Sequence, residues 1–367
     1  MRIGIDVSQT VYGTGVGNYT KNLIDQLMRI DESDVFVLFG GSLRRRGEFA
    51  KLFPPKKNTE LKTSILSSTL ADIFWNKLHT LSVENLIGEV DVFHSSDWAQ
   101  PPSKAFKVTT IHDLAPLIYS QYTPDRIVEV HKARLRWVAK EVDRVIAVSQ
   151  STKEDAVELL RINPERVVVI PEAGDARIKK VGKDEVYRAK EKYGIFKNYL
   201  LVVGTNPRKN VPRIIHAYKK LKDNNLQLVV VGRKPTNVEN DVIYTDFASF
   251  DDLSALYSGA SALVYTSLYE GFGQPILEAF KVGCPVVTSN VSSMPEVAGD
   301  AAVLINPTKV DEIVEGILTV LKNRQKWIKK GNARAKEFSW EYTAKLTLRV
   351  YKEAQRHSPE RLKGVEG

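Results

Sequence analysis

Two glutamates, Glu270 and Glu278, stand eight positions apart around a glycine-rich segment with the sequence YEGFGQPILEA. A carboxylate pair can act as catalytic acid and base, bind the hydroxyls of a sugar or ribose, or interact with a helix N-terminus. A glycosidase needs its two carboxyl groups about 5–9.5 Å apart across one bond, and a phosphate-type loop between them has no part in that chemistry. The spacing alone leaves these three choices open.

The residues around the pair predict a strand, a tight loop and a helix. The run 260–267 is apolar, and Gly271 and Gly273 allow backbone turns that other residues resist. Pro275 favours a first helical turn, and Gly283 is typical of a helix end. Backbone N–H groups at such a helix start bind phosphate, whereas a carboxylate would repel a phosphate placed against it. One carboxylate is therefore expected on each side of a diphosphate, with Glu270 beside a transferred sugar and Glu278 beside a ribose. The predicted contacts of this ligand in the loop are Gly271, Phe272, Gly273, Gln274, Pro275 and Ile276.

Short, continuous apolar runs followed by helical patterns recur along the whole chain. Continuous rather than alternating runs are typical of parallel strands that are covered on both faces. The runs in the first half are 2–7, 35–39, 91–95, 107–113, 144–149 and 166–171. The runs in the second half are 198–205, 226–232, 240–246, 260–267 and 285–289. The pattern therefore predicts two α/β domains, each a doubly wound parallel sheet, with a cleft at the carboxyl ends of their strands.

The expected boundaries follow from this repetition. Residues 1–172 are expected to form the first domain, 173–194 a linker with one helix, and 195–340 the second domain. A C-terminal helix at 341–363 is expected to pack back on the first domain. A chain of 367 residues exceeds the roughly 250–300 at which single cores stop growing, which agrees with two domains.

Composition narrows the class of protein. Hydrophobic content of 43% and charged content of 26% are those of a globular protein, and no apolar run approaches the roughly 20 residues of a membrane span. The single cysteine, Cys284, excludes internal disulfides and a cysteine zinc cluster, so a cytoplasmic protein is expected. The net charge of +9 comes from the C-terminal half, which suits an anionic ligand such as a nucleoside diphosphate, or else reflects solvated lysine-rich helices. The basic residues are scattered, so nucleic acid is not an expected partner.

Three further motifs follow predicted strands. GTGVGNYT opens a helix, and Gly15 and Gly17 either let the backbone approach a ligand or only form a tight turn. His112 follows the strand at 107–111. Arg208 and Lys209, in the segment PRKN, could direct positive charge at a diphosphate leaving group, or form a solvated basic loop.

Seven motifs spread over most of the chain are YEGFGQPILEA, GTGVGNYT, IHDLAP, AVSQST, VGTNPRKN, LYSGA and FSWE. Together they resemble the motifs of the E-x(7)-E glycosyltransferases of family 4. The resemblance is greatest to bacterial and archaeal mannosyltransferases of polysaccharide assembly. It implies a GT-B fold, retention of anomeric configuration and no metal or other cofactor. It also implies that Glu270 and His112 meet the transferred sugar and that Lys209 stabilises the diphosphate. An arginine common in the family after the strand glycine is replaced here by Thr205, so Arg208 is the expected second cation. The donor contacts that the resemblance adds are Gly204, Gly232, Arg233, Phe247 and Ala248.

The expected reaction is transfer of mannose from GDP-mannose to a glycan or lipid-linked acceptor in cell-surface polysaccharide synthesis. Two alternatives are a sugar-nucleotide epimerase of the same fold and a non-catalytic nucleotide-sugar-binding scaffold. Segment 43–62 carries seven basic and two acidic residues, which suits contact with the acceptor or with the anionic inner face of a membrane, or a flexible solvated loop. The base and sugar of the donor, the acceptor linkage and the oligomeric state are not determined by the sequence.

Overall fold

The computed structural model describes residues 1–235 and 241–355. The chain divides into two compact units. The first unit is Met1–Glu172 together with the segment that starts at Trp340, and the second is Ala173–Ser339. Each unit contains one parallel β-sheet, as the continuous apolar runs predicted.

The first sheet has seven strands among the described residues, in the spatial order β3-β2-β1-β4-β5-β6-β7. Every adjacent pair is parallel. The chain order reverses between β1 and β4, and open α/β sheets bind ligands outside the carboxyl ends of their strands at such a point. The strands are β1 (Arg2–Asp6), β2 (Val35–Gly41), β3 (Thr59–Ser64), β4 (Val92–Ser95), β5 (Phe106–Ile111), β6 (Arg144–Ala147) and β7 (Val167–Val169).

Helices connect these strands, and side chains cap the first turns of several of them. Thr14 accepts the N–H of Gly17 at the start of the first helix, and Ser149 accepts the N–H of Thr152. The helices are α1 (Gly15–Ile30), α2 (Arg46–Leu52), α3 (Ser68–Ala71), α4 (Glu84–Ile87), α5 (Ala115–Ile118), α6 (Asp125–Glu141) and α7 (Gln150–Leu160), with a π-helical turn at Asp72–Lys77 and 3-10 turns at Ser8–Tyr12, Ser120–Tyr122 and Pro164–Arg166.

The second sheet repeats this arrangement with six described strands in the order β10-β9-β8-β11-β12-β13, again all parallel. The reversal lies between β8 and β11. The strands are β8 (Asn198–Val203), β9 (Leu226–Val231), β10 (Val242–Tyr244), β11 (Ala262–Tyr265), β12 (Val286–Ser289) and β13 (Val303–Ile305). The helices are α8 (Lys183–Tyr193), α9 (Val211–Leu221), α10 (Phe250–Gly259), α11 (Gln274–Val282), α12 (Met294–Ala298), α13 (Val310–Lys322) and α14 (Arg324–Ala335), with a 3-10 turn at Pro207–Lys209.

Burial on both faces explains why the strands of the second unit are apolar without alternation. On one face Leu200 and Val202 pack in a cluster with residues of α9 and α13, such as Ile214 and Ile317. Leu201 points the opposite way and is also fully buried, so helices cover the other face too.

Two of the observed strands, β3 and β13, were not predicted from the sequence. β3 is an edge strand of mostly polar, half-exposed residues, and β13 has only three residues, so neither produces an apolar run. The basic segment 43–62 is therefore not simply a flexible loop, because it contains α2 and most of β3. Within it, Arg45 is paired with Glu48 at 2.7 Å, and Arg44 and Arg46 remain exposed.

The expected linker 173–194 lies within the second unit. Its helix α8 is fixed to α10, since Lys192 and the hydroxyl of Tyr193 both donate to Asp252, at 2.7 and 3.0 Å. The last described helix, α15 (Trp340–Lys352), belongs to the first unit, where Glu341 pairs with Arg29 of α1. The predicted helix 341–363 extends beyond it, and 356–363 lie outside the described residues.

Candidate functional site

The second unit brings Lys209 and Glu270 together at the carboxyl edge of its sheet. The ammonium group of Lys209 donates to Oε1 of Glu270 and to the hydroxyl of Tyr265, each at 2.7 Å. Both charged side chains are mostly buried, with 18% and 12% of their surfaces exposed. The sequence predicted both residues as site candidates, and the ion pair between them is a tertiary contact across 61 positions.

The charges around this pair control its ionisation. Burial opposes ionisation of Glu270, but the cations of Lys209 and Arg208 outweigh it and hold the pKa of that carboxyl below its ordinary value. Burial, reinforced by the charge of Glu270, raises the pKa of the Tyr265 hydroxyl well above its usual range. Glu270 is therefore a carboxylate at neutral pH, and Tyr265 keeps its proton.

A glycine and a buried asparagine position the lysine. Gly204 follows β8 with φ +94°, and a Cβ there would lie 3.0 Å from Cε of Lys209, so the lysine side chain lies directly over the glycine. Asn210, in the left-handed region at φ 62°, donates to the carbonyl groups of Thr266 and Pro307 at 3.1 and 2.7 Å. These bonds fix the segment after β8 against the ends of β11 and β13.

Two serines hold the loop that carries Glu270. The hydroxyl oxygen of Ser293 lies within hydrogen-bond distance of the carbonyl oxygens of Glu270 and Phe272, at 2.9 and 2.7 Å, and shares its one hydrogen between them. The N–H of Glu270 donates to the hydroxyl of Ser292 at 3.3 Å. Gly273 has φ +107° and precedes α11, and Gly283 ends that helix in the left-handed conformation, as predicted.

The members of this loop differ in exposure. Gln274 and Pro275 are partly exposed at the helix start, whereas Gly271, Phe272 and Gly273 are buried. Ile276 is fully buried and its N–H donates to Gly273, so its contribution to the site is support of the loop.

Glu278 lies one turn inside α11 in a different environment. Its Oε2 accepts the hydroxyl hydrogen of Tyr257 at 2.9 Å, and only 7% of the residue is exposed. Gly174 approaches it so closely that a Cβ there would lie 3.3 Å from the backbone nitrogen of Glu278. Burial, reinforced by the charge of Asp175 and opposed by the Tyr257 hydrogen bond, raises the pKa of Glu278 to about 7. Its assignment to a ribose stays a prediction.

The remaining second-unit candidates line the edge near β8, β9 and β10. Arg208 donates to the carbonyl of Tyr269 at 3.2 Å, which places a second cation beside the Glu270 loop. Gly232 has φ +143°, and a Cβ there would meet Cγ2 of Thr205 at 2.8 Å. After β10, Phe247 is 90% exposed. Arg233 is exposed, and Ala248 is partly exposed.

In the first unit His112 follows β5 and contacts Glu172. Its Nδ1–H donates to Oε1 of Glu172 at 2.8 Å, and its ring packs edge-on against Tyr19 with centroids 4.5 Å apart. Burial opposes protonation, but the hydrogen bond and charge of Glu172 outweigh it and raise the pKa of His112. His94, by contrast, is buried without a carboxylate partner, and its pKa is lowered to about 3.

His112 lines a small cavity at the reversal between β1 and β4, together with Gln9, Asp97 and Thr110. Its volume of about 20 Å³ is enough for one ordered water molecule. Gly15 and Gly17 belong to the first turn of α1. A Cβ at Gly17 would lie 2.7 Å from the carbonyl oxygen of Gln9, whereas a Cβ at Gly15 would meet nothing within 4 Å. Gly17 thus has a packing role whatever else it does.

Sequence reasoning missed Glu172, Tyr265, Ser292 and Ser293. Glu172 and the serines each follow a strand of a parallel sheet, and that position could have marked them. Tyr265 ends the apolar strand β11, where it is indistinguishable from a core residue.

Chemically, the second-unit cluster offers two cations beside a helix start and one ionised carboxylate. This combination can bind an anionic group and accept hydrogen bonds from hydroxyls at the same time. In the part of the chain that the structure describes, no group of three or more His, Cys, Asp or Glu side chains is arranged to hold a metal ion. None of the described helices is both long and apolar enough to cross a membrane.

Each of the two units matches a known protein family. The family described as Glycosyltransferase Family 4 matches residues 13–176, and the family described as Glycosyl transferases group 1 matches 184–336. The fold and these matches define a glycosyltransferase of the GT-B class. The chain belongs to glycosyltransferase family 4, as the sequence motifs predicted.

Relatives extend over most of the chain. O-antigen chain mannosyltransferase B of Escherichia coli is 28% identical over 370 residues, which cover 92% of this chain and 96% of the relative. The MMP alpha-(1->4)-mannosyltransferase of Mycolicibacterium hassiacum is 29% identical over 66% of this chain and 65% of its own. Among solved structures, Anabaena HepE in complex with UDP and glucose superimposes with a TM-score of 0.70 at 17% identity, covering 96% of this chain and all of its own, which shows the shared fold.

Proposed function

We propose that this enzyme transfers mannose, with retention of configuration, from GDP-mannose to a glycan or lipid-linked acceptor in cell-surface polysaccharide synthesis. The observation that carries the proposal is the buried Lys209–Glu270 pair beside the start of α11. The names of the E. coli and M. hassiacum relatives, both mannosyltransferases, support the choice of sugar.

In this proposal the donor lies along the carboxyl edge of the second sheet. Its diphosphate meets the N-terminus of α11 and the cations of Lys209 and Arg208, which stabilise the charge of the leaving group without a metal. Glu270 accepts hydrogen bonds from sugar hydroxyls, and Glu278 from the ribose. Arg233, Phe247 and Ala248 form the wall against the base, with the exposed ring of Phe247 available to stack on it.

The bond between the anomeric carbon and the β-phosphate oxygen breaks while an acceptor hydroxyl attacks from the same face. The proton of that hydroxyl passes to the departing phosphate oxygen, and GDP leaves. In the first unit His112, whose orientation is fixed by Glu172, is available to donate a hydrogen bond to a sugar hydroxyl.

The substitutions Lys209→Ala and Glu270→Gln test the donor site. Each should lower kcat/KM for mannose transfer from GDP-mannose by about 100-fold or more, because each removes a charged group from the place where the leaving group or the sugar would lie. Lys220→Ala is the matched control, since Lys220 forms an exposed pair with Asp311 at the same 2.7 Å. Wild-type-like transfer by both site variants would reject the assignment.

The same assay separates the other donors and reactions. Hydrolysis and transfer are measured with GDP-, UDP- and ADP-sugars, with and without EDTA. Preference for another nucleotide would correct the base, and loss of transfer in EDTA would reject the metal-free mechanism. Exchange of anomers without transfer would favour the epimerase, and binding of a donor without turnover would favour the non-catalytic scaffold.

We also propose that the enzyme works at the cytoplasmic face of the membrane, through the exposed Arg44 and Arg46. Replacing both by Ala should reduce sedimentation with liposomes that contain anionic lipid, and should leave the weak binding to neutral liposomes as it is. Arg45 is left unchanged because it pairs with Glu48. Equal sedimentation of variant and wild type would reject this role.

A further inference from the structure

A second cavity in the first unit has no role in the site described above. Its volume is about 440 Å³, within the range of roughly 300–1,000 Å³ that is usual for small-molecule sites. Trp98 lines it, with Ser68, Thr69 and Asp72 from α3 and the π-helical turn, and with Arg126 and His131 from α6. These helices start at the carboxyl edge of the first sheet, where α/β proteins bind ligands.

The loop that presents Trp98 is held by buried polar side chains. Arg134, 1% exposed, donates to the carbonyl of Ser96 at 3.1 Å and lies 3.4 Å from Asp97. Asn76, fully buried, donates to the carbonyl of Trp98 at 3.0 Å. Burying such groups is unfavourable unless they are satisfied, and here their hydrogen bonds fix one short surface loop. The backbone that carries Trp98 is therefore fixed before any ligand arrives.

The cavity adjoins the one beside His112. Asp97 lines the His112 cavity, and its N–H donates to Gln9 at 3.3 Å. Trp98 is the next residue in the chain and packs on Tyr12 with ring centroids 5.0 Å apart. A ligand that reaches His112 past Asp97 would thus extend over Trp98.

The chemistry of the lining suits an uncharged sugar. An indole ring can cover the apolar C–H face of a pyranose, while hydroxyl, carboxylate and guanidinium groups bond its rim of hydroxyls. Arg126 donates to Thr69 at 3.0 Å, and the carboxylate of Asp72 accepts from Asn76 at 3.1 Å and pairs with Lys77 at 3.2 Å. Both charged groups are thus already engaged by neighbours, which suits an uncharged ligand better than an anionic one.

We propose that this cavity is an acceptor subsite, which binds a sugar residue of the growing glycan beyond the residue that carries the accepting hydroxyl. The subsite gives the enzyme a preference for oligosaccharide acceptors over single sugars. The inference rests on the proposed function, since it takes the acceptor to be a glycan.

The test compares Trp98→Ala with Trp98→Phe, which keeps an aromatic face. The acceptors are methyl α-mannoside and α-linked mannotriosides with 1→2, 1→3 and 1→4 linkages, with GDP-mannose as donor. The ratio of kcat/KM for the best mannotrioside to that for the monosaccharide should fall about tenfold in Trp98→Ala and less than threefold in Trp98→Phe, because tenfold corresponds to the roughly 1.4 kcal/mol of one stacking contact. A second variant, Ile127→Trp, fills the exposed rim and should lower the same ratio without touching Trp98.

Binding of the mannotriosides is measured separately, by saturation-transfer NMR without donor. Binding that depends on Trp98, together with no transfer from GDP-mannose, would leave the subsite standing and reject the donor assignment. The subsite is rejected if no mannotrioside binds the wild-type enzyme. It is also rejected if Trp98→Ala lowers kcat/KM equally for all acceptors, as a purely structural role would.

Discussion

Glu270 and Glu278 are identical in type and stand eight positions apart, yet their environments shift their pKa values in opposite directions. Glu270 is buried beside Lys209 and Arg208, and its pKa is lowered. Glu278 is buried with a neutral tyrosine hydroxyl and near the charge of Asp175, and its pKa is raised to about 7. At neutral pH the first is a fixed charge, and the second is poised to titrate.

The raised pKa makes Glu278 a source of pH-dependent stability. The unfolded carboxyl titrates near 4.5 and the folded one near 7, so the unfolded chain releases the proton first as pH rises. The contribution of Glu278 to the free energy of unfolding is therefore most favourable below about pH 4.5. It falls by about 3 kcal/mol between about pH 4.5 and about pH 7, and it is constant at higher pH.

Glu278→Gln removes this titration. The free energy of unfolding of variant and wild type is measured in urea at pH 4.5, 6.0 and 7.5. The value for the variant minus the value for wild type should rise by about 3 kcal/mol from pH 4.5 to pH 7.5. The exposed Glu158→Gln serves as the control. A difference from wild type that is the same at all three pH values would show that Glu278 does not titrate in this window.

At the scale of an element, the start of α1 offers a matched pair of glycines. Gly17→Ala forces a Cβ to within 2.7 Å of the carbonyl of Gln9, so the helix or the preceding turn must move. We expect a loss of about 1–3 kcal/mol in the free energy of unfolding. Gly15→Ala meets no atom within 4 Å and should change stability by only a few tenths of a kcal/mol.

The two variants also separate packing from binding. Thermal unfolding is measured beside the KM for GDP-mannose. A raised KM in the stable Gly15→Ala variant indicates that a ligand approaches this backbone, and an unchanged KM indicates a helix start without a ligand. Equal stabilities of the two variants would contradict the close approach at Gly17.

Elements were predictable where a local pattern decides them. The glycines and proline around α11 predicted its start and end, because turn and helix-end conformations depend on a few neighbouring residues. β3 was missed, because an edge strand is defined by its hydrogen bonds to β2 rather than by an apolar face. For the same reason a flexible loop was one of the alternatives for the basic segment 43–62.

At the scale of the whole chain, α15 connects the C-terminal segment to the first unit. The hydroxyl of the fully buried Tyr351 lies 2.7 Å from Nδ1 of His94, and Thr343 donates to the carbonyl of Pro171 at 2.7 Å. Tyr351→Phe leaves the imidazole nitrogen without its partner in a dry environment.

We expect Tyr351→Phe to destabilise the first unit by about 1–3 kcal/mol. Calorimetry of the intact enzyme should show the unfolding transition of the first unit at a lower temperature than in wild type. The unfolding temperature of the second unit should be unchanged. Tyr187→Phe, at an exposed position of α8, is the control. A wild-type melting profile for Tyr351→Phe would mean that this hydrogen bond adds nothing to the packing of α15.

The sequence by itself determined the two parallel sheets, the glycine loop before α11 and the family, because these depend on local periodicity and on motifs within short stretches. It also identified Lys209, Glu270 and His112 as candidates, since each follows a strand and the family resemblance gives each a role at the sugar or the diphosphate. Only the tertiary structure decided which side chains meet, such as Lys209 with Glu270 and His112 with Glu172. Partners about 60 positions apart are chosen by the spatial order of the strands, and no local pattern contains that order. The opposite pKa shifts of Glu270 and Glu278 follow from those contacts, which is why two equivalent glutamates in the sequence became two different groups in the fold.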